Sequence, residues 1–235
     1  MSVVVFDSSI GVAEAKAPAS SRVWAGYQVS HDTFRSVLAR WTVPALTCTA
    51  ASAPDYALVS VGLGKSGGGT ETGAESIIMQ AERTSGAGCV YNTYIGINGV
   101  TEIQLDPGVG DSVVTSVRYV SGRYRFTWTD LTDASRSWQR SLACTVYCSR
   151  TSAEIVVGLP QPGSSPLADY HQVAFRAIAV TDAHGRKGSL AHSTHWTTSR
   201  FDQYDRTYSS ASGPAASSST PSAKGTAFTD TWHHK

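Results

Sequence analysis

From Val23 onward the chain is a run of short segments rich in Val, Ile, Thr and aromatics, cut by clusters of Gly, Pro, Ser and Asp. This is the signature of strands. The segments are Val23–Ser30, Phe34–Val43, Tyr56–Leu63, Ser76–Thr84, Val90–Ile97, Ser112–Val120, Tyr124–Trp128, Ser152–Leu159, Gln172–Val180 and Ala227–Trp232. Several alternate strictly. Val113, Thr115, Val117 and Tyr119 fall on one face, while Val114, Ser116, Arg118 and Val120 fall on the other. A period of two residues belongs to half-buried strands. No stretch keeps a helical period beyond two turns. The expected fold is therefore all-β, an antiparallel two-sheet β-sandwich or barrel. Residues 1–22 read as an N-terminal arm and residues 23–235 as a single β domain. Residues 66–73, with Gly67-Gly68-Gly69, read as a mobile loop, and 209–226 as a long loop with one ragged strand.

Only 16% of the residues are charged, against about 25% in an average domain. Lys plus Arg is 19 and Asp plus Glu is 18, a net charge of +1. That balance argues against a nucleic-acid footprint and against a polybasic membrane patch. No apolar run is long enough for a spanning helix. Residues 1–8 lack the basic and apolar regions of a secretory leader. A complete chain is thus expected in the cytoplasm, and a trimmed one in the secretory route. The four cysteines, Cys48, Cys89, Cys144 and Cys148, allow three pairings. An even count without Cys-x-x-Cys favours disulfides over zinc, and a local Cys144–Cys148 bridge fits the spacing. His192-x-x-His195 does not present both rings on one strand face, so no metal site is expected. No Walker loop or His-Glu-x-x-His helix is present. No cofactor is implied.

Two strands carry acids of interest. In Ser76–Thr84, Ile78, Gln80 and Glu82 share a face, with Gln80 and Glu82 about 7 Å apart along the strand. In Ser152–Leu159, Glu154, Val156 and Gly158 share a face. The same pattern also suits polar positions on a solvated sheet face.

Several runs, taken in order, resemble one family. Val23-Trp24-Ala25-Gly26-Tyr27 resembles its opening Trp-x-Gly. Arg40-Trp41-Thr42-Val43-Pro44 resembles its W-T-V-P strand, and Val61-Gly62-Leu63-Gly64 its V-G-L-G segment. Ile78-Met79-Gln80 resembles the strand with the catalytic glutamine. Residues 107–111 resemble its P-G-D turn, residues 152–160 its S-A-E-W-I-V-E-x-P, residues 166–170 its P-L-A-D-F, and residues 228–232 its F-T-V-T-W. On these runs the chain resembles the eqolisins, the glutamic peptidases, from about Val23 to Trp232. The resemblance implies a concanavalin-like jelly roll of two packed antiparallel sheets, with a substrate groove on a concave face.

The resemblance also implies a dyad: a glutamate as general base on water and a glutamine amide for the oxyanion. Gln80 stands at the glutamine position. Gly158 stands where the catalytic glutamate belongs, and Glu154 matches the earlier acid of the same motif. Tyr94-Ile95-Gly96 replaces the family's W-Y-E, Ser60 replaces a groove tryptophan, and Glu82 stands where the family has a small Gly. Glu154 lies four residues, about 13 Å, from position 158, beyond the reach of a base acting there. Candidate catalytic residues are therefore Gln80, Glu82 and Glu154, and candidate groove residues are Tyr94, Trp41, Ser60, Gly158 and Trp128. Three readings follow. The groove binds a peptide or a small organic ligand; or Gln80 with Glu82 or Glu154 serves a repurposed enzyme, such as a cyclisation or tailoring step; or an acid peptidase works with a relocated base. A monomer is expected.

Overall fold

The computed structural model describes residues 17–47, 55–65, 75–84, 88–97, 100–103, 106–145, 148–159, 166–191, 193–204 and 213–233. The Gly-rich stretch read as a mobile loop and residues 1–16 of the arm lie outside these.

The alternating segments form strands that we number in chain order. One layer holds β10 (Trp138–Ala143), β9 (Arg123–Asp130), β8 (Ser112–Val120), β3 (Phe34–Thr42) and β12 (Gln172–Asp182), in that order across the sheet. The other runs β14 (Thr197–Gln203), β2 (Trp24–Ser30), β11 (Ser152–Gly158), β4 (Asp55–Gly64), β5 (Glu75–Thr84), β6 (Gly88–Ile97), β7 (Val100–Ile103). Strands β16 (Phe228–Trp232) and β15 (Ala216–Ser218) join the two layers in one curled, hydrogen-bonded path. β13 (Lys187–Gly188) extends β12. β1 (Ala19–Ser21), from the end of the arm, pairs with β14 in parallel.

The layers face each other, with β3, β8 and β9 against β11, β4 and β5. Period-two alternation sends one set of side chains into this interior. Val37, Ala39 and Trp41 go in from β3, Tyr124, Phe126 and Trp128 from β9, and Ile77, Met79 and Ala81 from β5. Each large apolar side chain buried this way contributes about 1.5–3 kcal/mol.

Trp41 and Trp128 therefore do not line a groove. They are 2% and 1% exposed, and their rings meet edge to face at 5.5 Å. The Trp41 indole N–H donates to Thr115 Oγ1 at 3.2 Å, satisfying its one polar atom inside the core. The reason is parity: both residues occupy inward positions of their strands. Cys144 and Cys148 form a disulfide just after β10, and Cys89 is disulfide-bonded as well.

Gly26 explains the opening Trp-x-Gly. Its φ is +140°, and a Cβ there would run into the Ile155 carbonyl and into Val156 Cα at 2.7 Å. Only glycine accepts that backbone and that approach of β11.

Candidate active-site face

The face of the long sheet turned away from the core gathers most of the sequence candidates. Residues directly opposite in an antiparallel pair share a face, so the register can be read as rows. One row runs Trp24, Gly158, Leu58, Gln80, Asn92 across β2, β11, β4, β5 and β6. The next runs Gly26, Val156, Ser60, Ile78, Tyr94. A third runs Gln28, Glu154, Gly62, Ser76, Gly96. Gln80, Gly158, Ser60, Tyr94 and Glu154 thus share one face. The backbone puts position 82 on the same face, opposite Tyr56 and Val90.

The rows separate these residues as well as grouping them. Gly158 and Gln80 are two strand spacings apart, roughly 10 Å between Cα atoms. Glu154 lies two rows beyond, about 13 Å along its strand from Gly158 and further still from Gln80. Leu58, Ser60 and Val156 are 5%, 7% and 5% exposed, so the middle of the face is tightly closed. Gln80 and Tyr94 are half-buried.

The Gly158 position has no room for a side chain. A Cβ built there would run into the Val23 carbonyl oxygen, with the Val23 carbonyl carbon at 2.8 Å and the Trp24 ring at 3.0 Å. That carbonyl is fixed from the other side, because it accepts the Leu159 N–H at 2.9 Å. The chain enters β2 directly over residue 158.

Glu154 is the acid of this face with defined partners. It accepts from Gln28 Nε2 at 2.9 Å and from Ser152 Oγ at 2.8 Å. Burial pushes its pKa above the usual carboxylate range, while these two donors pull it back. Gln28 is not among the candidates named from the sequence. Trp24, Gly26 and Gln28 alternate along β2, so extending the face rule to that strand would have found it.

Trp41 and Trp128 are absent from this face, being buried between the layers. Among the described residues, no group of three or more His, Cys, Asp or Glu side chains could hold a metal ion.

No curated protein matches the sequence. A crystal structure of scytalido-glutamic peptidase with a transition state analog inhibitor matches at 17% identity and a TM-score of 0.66, covering 92% of this chain and 100% of that one. The structure of SCP-B, a member of the eqolisin family of peptidases in complex with the tripeptide Ala-Ile-His, matches at 19% identity and a TM-score of 0.64, covering 92% and 100%. These likenesses show the jelly-roll sandwich fold. The family model described as the Peptidase A4 family matches residues 22–220. The chain belongs to that family, the eqolisins.

Proposed function

We propose that this eqolisin uses the outer face of its long sheet to bind an extended peptide or a small organic ligand, and that it does not hydrolyse peptides by the family's glutamate–glutamine chemistry. One observation carries the reading. The position that the motif assigns to the base is Gly158, and the Val23 carbonyl occupies the space a side chain would need there. A positioned general base contributes typically 10²–10⁴-fold, and loss of a member of a catalytic unit costs more than its share. Gln80 remains in the same row as Gly158 and keeps an amide for recognition of a carbonyl. The tripeptide held by SCP-B supports a peptide as the ligand class.

A second reading has its own support. Glu154 has a raised pKa and two fixed donors on the same face, which is how acid–base sites are built. Position 82 lies about 7 Å from Gln80 along β5. A repurposed enzyme would use Gln80 with one of these acids on a non-peptide substrate.

The test is a digest of a denatured protein across about pH 2–7, read by mass spectrometry, with Gln80→Ala alongside. The expected result is no cleavage by either protein. Cleavage that Gln80→Ala abolishes would overturn the proposal and establish a peptidase with a relocated base.

A further inference from the structure

The opposite side of the molecule carries a second feature. On the outer face of the β10-β9-β8-β3-β12-β13 sheet, register places Lys187, Thr181, Ser36, Arg118, Arg125 and Ser141 in one row. Arg40 and Arg176 stand directly opposite each other two rows further along, and Arg123 is two residues from Arg125 on the same face of β9. Lys187, Arg40, Arg118, Arg123, Arg125 and Arg176 are all exposed. The strands of this sheet contain two carboxylates, Asp130 and Asp182, which are 2% and 0% exposed. Asp182 and the neighbouring Asp32 are both engaged by Arg186. Among the described residues, none of the six cations forms an ion pair; Arg123 and Arg40 rest on Ser141 and Ser112 instead.

This arrangement is costly to the isolated fold. Arg118 faces Arg125, and Arg40 faces Arg176, at cross-strand positions where like charges destabilise. A chain with net charge +1 has enough acids to neutralise the face, yet they lie elsewhere. The array spans about 19 Å across the strands and about 20 Å along them. Such a single-sign field attracts a polyanion, and guanidinium forks bind carboxylates or sulfates bidentately.

The residues between the cations decide the kind of polyanion. Leu38, Val114, Val120 and Ala179 share this face with Ser36, Ser116, Thr127, Thr181, Gln139 and Ser141. The hydroxyls and the amide donate and accept, which suits a polyhydroxylated chain. Of the large exposed hydrophobics, Val90 and Val109 lie outside these strands and Leu131 stands alone just past the end of β9, so no apolar cluster here inserts into a bilayer. The aromatics of these strands point inward, leaving no platform for stacked bases. We infer that this face is a docking surface for an acidic polysaccharide, a linear chain bearing carboxylates or sulfates.

The experiment is affinity electrophoresis and equilibrium binding of the full chain to polygalacturonate, with dextran, duplex DNA and phosphatidylserine vesicles alongside. The expected result is salt-dependent binding to polygalacturonate, none to dextran, and weaker binding to DNA and vesicles. Arg118→Ser/Arg125→Ser should weaken polygalacturonate binding by about tenfold at low salt, since each lost contact removes a counterion-release contribution. Lys65→Ser/Lys224→Ser removes the same charge elsewhere and should leave binding within about twofold. No binding, tighter binding to DNA or vesicles, or equal losses in both double variants would overturn the inference. Thermal denaturation of each variant confirms that it folds.

Discussion

Gly158 and Gln80 stand in one cross-strand row, two strands apart with Leu58 between them. Residue 158 also lies directly beneath the Val23 carbonyl. Adding a side chain at 158 must move β2 or break the Leu159–Val23 hydrogen bond. Gly158→Ala is therefore expected to lower stability by about 1–3 kcal/mol, the usual cost of overpacking. Gly158→Glu is expected to cost more and to restore no peptide cleavage. Urea midpoints and a digest assay check both. An unchanged midpoint with cleavage would mean that the β2 entry yields easily and the site is merely one mutation from activity.

The buried acid Asp230 sets a pH dependence. Asp230 is 0% exposed and accepts from Tyr170 Oη at 2.5 Å and from Ser218 Oγ at 2.7 Å. Burial pushes its pKa up to about 7, the Tyr170 and Ser218 bonds hold it down, and the Asp202 charge adds to the rise. The folded pKa is above the unfolded value of 3.8. Below 3.8 both states hold the proton and the contribution to stability is whole. Between there and about 7 the unfolded carboxyl ionises first, so stability falls as pH rises, then levels off. Three units correspond to at most about 4 kcal/mol. Asp230→Asn keeps an acceptor for Tyr170 and should flatten this limb of a stability–pH curve measured from pH 3 to 8. Parallel curves for the two proteins would refute the assignment.

The ten segments read from alternation all became strands, because each sends apolar residues inward. β14 was not legible, and its residues explain why. Thr198, Arg200 and Asp202 share the face of Tyr27 on the neighbouring β2, so its inward side is polar. β10 is an edge strand, largely exposed, and has no apolar period to find. At the site, the motif singles out Gln80 and Gly158 strand by strand, and only the register of β11, β4 and β5 puts them in one row. The motif gave no sign of the Val23 carbonyl, which is a backbone contact made by a distant segment. Trp41 and Trp128 were read toward the groove by residue type, but strand parity put them in the core. The cationic face was invisible for a related reason. Arg118 and Arg125 oppose each other only once the β8–β9 register is known.

The Glu154 network offers a spectroscopic check on the second functional reading. Gln28 Nε2 and Ser152 Oγ both stabilise the ionised carboxylate. Gln28→Ala removes one donor, so the Glu154 pKa, already raised by burial, is expected to rise further. The wild-type contribution of Glu154 to stability is whole below the unfolded pKa of 4.5 and declines as pH rises through the folded value, and the variant extends that decline to higher pH. A ¹³C titration of the glutamate side-chain carboxyl carbons reads it directly. An unchanged titration would mean that Gln28 does not hold this acid, and would weaken Glu154 as a tuned acid–base group.

Trp41 tests the boundary between core and face. It is 2% exposed and packs on Trp128 at 5.5 Å and on Phe175 at 6.4 Å. Its indole N–H is paired with Thr115 Oγ1. Trp41→Ala empties a large volume at the meeting of β3, β8 and β12, and such truncations cost about 3–5 kcal/mol. Trp41→Phe keeps most of the ring contact and leaves Thr115 without its donor, so it costs less. Both effects appear as shifts in the denaturation midpoint, with loss of near-ultraviolet dichroism for the alanine variant. Ligand binding to the Gln80 face should persist in folded Trp41→Phe at wild-type strength, because no side-chain atom of Trp41 reaches that face. Binding weakened there with stability unchanged would return this tryptophan to the groove.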